Sequence, residues 1–533
     1  MKIVRIGATR APAEPGTLPS ADTVGAKAAN LAQMAALGLP VPPAFVLPVS
    51  LCAAIVRGDG DAREKLRAGL AEGIGFLQEA TGRMLGDRRK PLLVSVRSGA
   101  ARSMPGMLDT VLDVGATPEA VHGLIRSTGN PRFAWDCRRR FLESFASVVL
   151  GIDQAILSAP RAALLAEEGV RRVEQLDGEA LERLARAYSE ALDDDGDAAP
   201  ADPMAQLEAA AQAVYRSWMG ERARTYRALE RLEYLEGTAV TVQAMVFGNR
   251  SLTSGSGVAF SRDPSSGAPE PVIDVLFEAQ GEDVVSGSRS PQTEAALGRV
   301  VPVAARNLRE TLVTLERAFR DVQDVEFTIE DGRLWMLQTR SAKRTPRAAL
   351  RIAIDLVREG IITPEEGLKR VGALDPEMLV EARLTDVGEP LVLGTGASAG
   401  VAVGRAAFSS RSAQRLADGG EPVILVRPDT STSDVAGFSV SAGIVTAVGG
   451  RTAHAALVAR QMGKPCVAGC VELAVEPEAG EARVGDTRIS EGDWLSVDGV
   501  AGAVYLGRGR ITVDRLEGEL RVVEGWRGAK AHA

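Results

Sequence analysis

Residues 443–469 read GIVTAVGGRTAHAALVARQMGKPCVAG. Ile444 to Val448 is an apolar, partly β-branched run, which favours a buried strand. Gly449 and Gly450 are turn residues. Thr452 fits an N-cap, and Gly463 followed by Pro465 stops a helix. The stretch therefore reads as strand, turn, short helix and second strand. His454 falls in the first helical turn, beside unpaired backbone N–H groups and the positive end of the helix dipole. An imidazole there is placed to carry a phosphoryl group, since a helix N-terminus binds phosphate.

Working outward, the 533 residues suffice for three or four domains. Hydrophobic residues make up 45% and charged residues 25%, the balance of an ordinary globular protein. A formal net charge of −8 argues against nucleic acid or an anionic membrane as partner, so anionic substrates require a locally basic cleft. Four cysteines in so long a chain exclude a disulfide framework, and Cys466 and Cys470 lack the neighbours of a metal site. The N-terminus has no apolar leader and no run is long enough to span a bilayer, so a cytoplasmic location is expected.

Toward the N-terminus, ADTVGAKAANLAQMAALGLP (21–40) puts Lys27 at a loop–helix junction, where an ammonium reaches a phosphate. In PLLVSVRSGAARSMPGMLDTVL (91–112) a buried strand ends in Arg97, whose fork points into the cleft that edge opens on. NPRFAWDCRRRFLESFA (130–146) is an amphipathic helix whose arginine run is expected to form a solvated face. The region 160–230 is helical, broken by the acidic loop at 193–203. In SGSGVAF, Gly255 and Gly257 form a glycine-rich turn whose N–H groups approach phosphates.

DVQDVEFTIEDGRLWMLQTR (321–340) alternates with period two on both sides of Asp331-Gly332, the pattern of a hairpin. A two-residue loop sets Glu326 opposite Leu337. A three-residue loop over 331–333 sets Glu326 opposite Gln338 and Asp324 opposite Arg340. The second register is expected, because it groups oxygen ligands suited to Mg²⁺ with a phosphate-binding arginine. Asp324 then orders Arg340 or a catalytic water.

These blocks, with GGRTAHAALVAR around His454, resemble the phosphoenolpyruvate-utilising enzymes, and pyruvate phosphate dikinase and phosphoenolpyruvate synthase in particular. The resemblance covers about 500 residues of the 533. It implies an α/β multi-domain protein: an ATP-grasp domain over 1–340, a helical connector over 341–385, a swivelling phosphohistidine β/α domain over 386–507, and a tail over 508–533. The Gly/Ala-rich stretch 391–404 would hold the hinge and first strand of the third domain, and GDWLSVDGVAGAVYLG its closing hairpin. ATP is the implied substrate and Mg²⁺ the cofactor, with Glu326 and Gln338 on the metal. Lys27, Arg97, Asp324, Gly255, Gly257 and Arg340 hold nucleotide, and His454, Arg97 and Arg340 carry the chemistry. Arg140 is a lesser phosphate candidate, and His122 and His532 have no catalytic role.

The implied reaction passes a pyrophosphoryl group from ATP to His454, releasing AMP. Phosphate, or water in a synthase-like case, then takes the outer phosphoryl. The Arg451-Thr452 lead is closer to the synthase, while the other blocks are closer to the dikinase. Thr452 is a candidate for regulatory phosphorylation, with capping the stronger role. The family's pyruvate-binding barrel is expected on a separate subunit; another acceptor and a non-catalytic phosphocarrier are the rival readings, and a homodimer is left open.

Overall fold

The computed structural model describes residues 2–7, 18–102, 104, 108–153, 155–194, 198–285, 289, 291–372, 380–430, 434–451 and 453–531. The packing divides into two compact units, Met1–Arg250 with Trp335–Gln338, and Ser251–Leu334 with Thr339–Ala533. The sheet that holds residues 255–330 belongs to the second of these units. No helix among the described residues is long and apolar enough to cross a membrane.

The first unit is built on an antiparallel sheet of five strands in the order Val4–Ile6, Ala44–Leu47, Thr238–Ala244, Val94–Ala100 and Thr110–Val114. Thr238–Ala244 is buried along its whole length, Thr241 and Gln243 included, although its sequence alternates as a one-sided strand would. Helices Gly60–Thr81, Pro131–Phe145 and Pro203–Ser217 cover this core. Each begins on a side chain that accepts from the first helical turn: Asp59 from Ala62, Asn130 from Phe133, and Asp202 from Met204 and Ala205. Asp202 closes the acidic loop, of which 195–197 lie outside the described residues.

The arginine run of the second of these helices is not a solvated face. Arg139 and Arg140 are both 7% exposed. Asp136 accepts from Arg139 Nη2 at 2.6 Å, from Arg140 Nε at 2.9 Å and from Asn249 Nδ2 at 2.8 Å. Sequence spacing alone hid this, since a carboxylate one turn earlier neutralises the pair and lets the face turn inward. Arg140 is thus committed to an ion pair. His122 is exposed, its ring edge-on to Trp135.

The second unit contains two main sheets. The first runs Gln292–Thr293, Val272–Phe277, Gly255–Phe260, Gln323–Glu330 and Arg333–Ser341. The second has eight strands around a parallel centre, Val401–Ala407, Val423–Arg427, Gly443–Thr446 and Cys466–Ala468. Helices Ser410–Asp418, Val435–Val440 and His454–Gln461 make the crossovers. The expected closing hairpin is present as Trp494–Asp498 and Ala503–Leu506.

The 391–404 stretch supplies strands: Val392–Leu393, Thr395–Ser398 and Val401–Ala407 all belong to the eight-stranded sheet. Its glycines allow close packing, as a Cβ on Gly396 would lie 2.6 Å from the Gly499 carbonyl oxygen. The segment from 508 on contains a strand and a helix. Arg510–Arg515 pairs with Val380–Thr385. Helix Glu517–Ala531 buries Val523 against Leu350, Ile354 and Val371 of the connector helices. The second connector helix has the expected capping box between Thr363 and Glu366.

Burial alone would raise the Asp136 carboxyl, but Arg140 and Arg139 outweigh it and hold the group well below the usual carboxylate range. Its stabilisation is therefore complete above the ordinary aspartate range and is lost only as pH falls far below it. Asp136→Ala strands two buried guanidinium groups and should cost about 3–5 kcal/mol. Urea unfolding of both proteins between pH 6 and 8 measures this, with a pH-independent difference expected.

Candidate active site

In the first unit the helix Ala21–Ala36 is broken at Gly25, where φ is 79° and ψ is 153°. A Cβ on Gly25 would lie 2.0 Å from the carbonyl oxygen of Gly99, so only glycine fits. That approach sets Lys27 beside the end of the Val94–Ala100 strand: a Cβ on Gly99 would lie 3.9 Å from Lys27 Cβ. Arg97 stands two residues before Gly99 on the same strand, opposite Thr241 and Thr110. Lys27 and Arg97 are both half-buried. The two cations are thus positioned from one end of one sheet, an arrangement that suits an anion. Arg102 is exposed beyond this strand, and 103 and 105–107 lie outside the described residues.

In the second unit Gln323–Glu330 carries the acidic groups. Asp324 is 2% exposed and its Oδ2 accepts from Arg340 Nε at 2.8 Å. Its Oδ1 is buried with no hydrogen-bond donor. Burial raises the Asp324 carboxyl from its ordinary value, and Arg340 pulls it back. Burial would lower Arg340, but Asp324 and then Glu326 hold its guanidinium above the ordinary value. Glu326 is two residues along the strand, on the same face as Asp324.

The hairpin itself differs from expectation. Its turn has two residues, Asp331 with φ 49° and Gly332 with φ 78°, between strands ending at Glu330 and resuming at Arg333. Both signs suit the tight turn that matches strand twist. Ser251 Oγ donates to Asp331 Oδ1 at 2.7 Å and fixes the tip. At the base Ala342 N–H donates to the Val322 carbonyl at 2.9 Å, one residue off the step such a turn would set. Asp324 and Arg340 face each other as the sequence implied, but a shift along the ladder brings them together rather than a longer loop. Gln338 is buried in the Trp335–Gln338 segment that packs with the first unit.

Gly255 and Gly257 do not form a turn. They lie inside the central strand Gly255–Phe260, paired to Val272–Phe277 on one side and Gln323–Glu330 on the other. Their backbone lies within these two ladders. A Cβ on Gly257 would meet the Phe327 ring at 2.4 Å and the Asp274 carbonyl at 2.5 Å, so packing accounts for the glycine.

His454 opens the His454–Gln461 helix, and Ala453 takes the N-cap position. Thr452 lies outside the described residues, as does His532. The turn before the helix rests on the first sheet of the same unit: a Cβ on Gly450 would lie 2.4 Å from Pro291 Cγ and 2.9 Å from Asp274 Oδ2. Asp274 pairs with Val258, and Val258 with Glu326. Directly paired residues share a face. Asp274 and Glu326 therefore stand on one face in one row, two strands or about 10 Å apart. Asp274 was missed in the sequence, although an acid within the apolar run VIDVLF is a usable signal. Among the described residues no group of three His, Cys, Asp or Glu side chains is set to hold a metal.

Comparison with known proteins matches two stretches of the chain. Residues 63–299 and 299–360 match the AMP/ATP-binding domain of pyruvate phosphate dikinase, and 419–502 match the mobile domain of PEP-utilising enzymes. Chloroplastic pyruvate, phosphate dikinase of Flaveria trinervia is 41% identical over 508 residues, covering 94% of this chain and 53% of the relative. Pyruvate, phosphate dikinase of Rhizobium meliloti is 41% identical over 529 residues, covering 96% and 59%. That of Clostridium symbiosum is 41% identical over 502 residues, covering 93% and 57%. The chain spans about half the length of the curated relatives it matches.

Replacing Gly25 by Ala drives a methyl into the Gly99 carbonyl at a positive φ. The expected cost is about 1–3 kcal/mol, read from the urea midpoint. Ala substituted at Gly82, where φ is 66° and nothing lies within 4 Å of a Cβ, should cost less.

Proposed function

The chain belongs to the pyruvate phosphate dikinase family, and from that premise we propose that it performs the nucleotide half of a dikinase reaction, phosphorylating its own His454. The observation that carries this reading is the seat of the histidine turn. Gly450 rests on Asp274, in the same row and on the same face as Glu326. The carrier histidine and the acidic strand thus belong to one compact unit.

ATP is the substrate in this reading. Residues 1–340 supply an ATP-grasp nucleotide site, and the β/α layer of 386–507 swivels between that site and an acceptor. Lys27 and Arg97 bind phosphate oxygens. Arg340, held by Asp324 at 2.8 Å, presents the rest of its guanidinium to charge that develops as the β-phosphorus is attacked. A neutral imidazole is the nucleophile in this scheme. A nitrogen of His454 bonds to the β-phosphorus, the bond to the α-phosphoryl oxygen breaks, and AMP leaves. Inorganic phosphate then attacks the outer phosphorus, releasing pyrophosphate and leaving phosphohistidine.

Glu326 and Gln338 are the proposed Mg²⁺ ligands, since both offer hard oxygen atoms. Asp324 Oδ1, on the same strand face as Glu326, is a buried oxygen without a donor. When bound, the ion would neutralise and orient the β- and γ-phosphate oxygens. Pyruvate, on a separate barrel subunit, is the proposed final acceptor.

ATP labelled at the β- or γ-phosphorus tests the scheme. With phosphate present, β-label should stay on the protein and γ-label should leave as pyrophosphate. Release of γ-label as orthophosphate would assign water to the second step. His454→Ala should take no label, and AMP formation that survives this change would overturn the reading. Arg340→Ala should slow labelling on the order of 10²–10³-fold, with the fold checked by circular dichroism.

A further inference from the structure

The His454–Gln461 helix carries a second residue that the scheme above does not use. Arg460 is 1% exposed, and it is among the largest fully buried side chains of the protein. Its Nη1 donates to the Ala397 carbonyl at 2.6 Å. Its Nε and Nη2 are buried with no hydrogen-bond acceptor. A cation with two unsatisfied buried donors is a costly thing to keep in a core, so a particular arrangement of neighbours must hold it there.

Those neighbours come from the first sheet of the unit. The guanidinium carbon lies 5.2 Å from the centre of the Phe260 ring, within cation–π range. Phe260 pairs directly with Asp324, so ring and carboxylate share a face and a row. Burial pulls the Arg460 guanidinium down to about 10, against the attraction of Asp324, Cys466, Asp263 and Asp274. The Ala397 carbonyl that takes the Arg460 bond also accepts from Ser265 Oγ at 3.3 Å. One carbonyl thus joins the histidine helix, the Thr395–Ser398 strand and the loop between Gly255–Phe260 and Val272–Phe277.

These contacts make a seat with two points. Gly450, before the helix, rests on Asp274 and Pro291. Arg460, at its far end, rests on Phe260 beside Asp324. Six residues separate Arg460 from His454, about 9 Å along the axis. Holding both ends fixes the direction of the helix and so the place of its first turn. The far contact is attractive in charge but poor in hydrogen bonds. Separation returns the guanidinium to water and relieves its desolvation, so such a contact holds without being permanent.

We propose that Arg460 is a positioning residue that latches the histidine-bearing layer onto the Phe260–Asp324 row in the pose in which His454 receives the phosphoryl group. The proposal rests on the half-reaction above. It adds that Asp324 serves two cations, Arg340 at the nucleotide and Arg460 on the carrier.

The test uses the full chain with Arg460→Met, Arg460→Gln and Arg460→Lys. Met and Gln, which remove the charge, should slow His454 labelling by about ten- to a hundredfold while leaving the ATP concentration for half-maximal rate unchanged. Lys, which keeps the charge, should recover most of the loss. Amide exchange read by mass spectrometry should rise in the Met and Gln variants over Thr395–Ser398 and His454–Gln461. Val401–Ala407 and Val423–Arg427 should stay protected. Labelling at the wild-type rate, or exchange that rises through those two strands as well, would overturn the latch. So would failure of both neutral variants to fold, which would make Arg460 a plain core residue. A wild-type protein that takes no label defeats the half-reaction instead, and the exchange pattern then decides the seating alone.

Discussion

The contact on which the second unit depends is the meeting of a backbone turn and a sheet face at van der Waals distance. Gly450 has no Cβ, and one added there would fall within 3 Å of both Pro291 and Asp274. A side chain at this position would lift the start of the histidine helix from the sheet. The absence of a single methyl group is thus what lets the turn before His454 lie against the sheet.

Electrostatics complete what the close packing begins. The Gln323–Glu330 strand brings Asp324 out of water and leaves one of its oxygens without a donor. The cost is offset in part by cations that approach from different elements, Arg340 from the neighbouring strand and Arg460 from the helix. In a low dielectric each of these charges acts over a longer range than it would at the surface. A buried carboxylate with spare capacity can therefore hold one guanidinium and still attract a second.

Glycine recurs through the protein with distinct physical purposes. At Gly25 the backbone takes a positive φ and touches a neighbouring strand, which brings Lys27 to the sheet end. At Gly257 the strand is regular, and the missing side chain makes room for the Phe327 ring. The sequence SGSG reads as a turn because its glycines are consecutive-but-one and flanked by serines. In the fold the same spacing places Gly255 and Gly257 on one face of a central strand, where the ring and the next strand leave no room. Local composition cannot separate these cases, since the deciding atoms belong to residues tens of positions away.

Much of the architecture was legible in the chain itself. The strand–helix–strand around His454, the capping box at Thr363 and Glu366 and the period-two hairpin around Asp331-Gly332 follow from local propensity and spacing, which act over a few residues. The pairing of Asp324 with Arg340 was legible too, because two complementary charges on alternating strands select one another. Other features were decided only by tertiary structure. The two-residue turn with its shifted ladder, the burial of Arg139 and Arg140 on Asp136, and the Arg510–Arg515 strand in the presumed tail all depend on contacts between distant segments. So does the row that joins Asp274 to Glu326, and so does the placing of Arg460 over Phe260. The cost of burying a charge is set by which opposite charge arrives through space, and that is fixed only when the layers have packed.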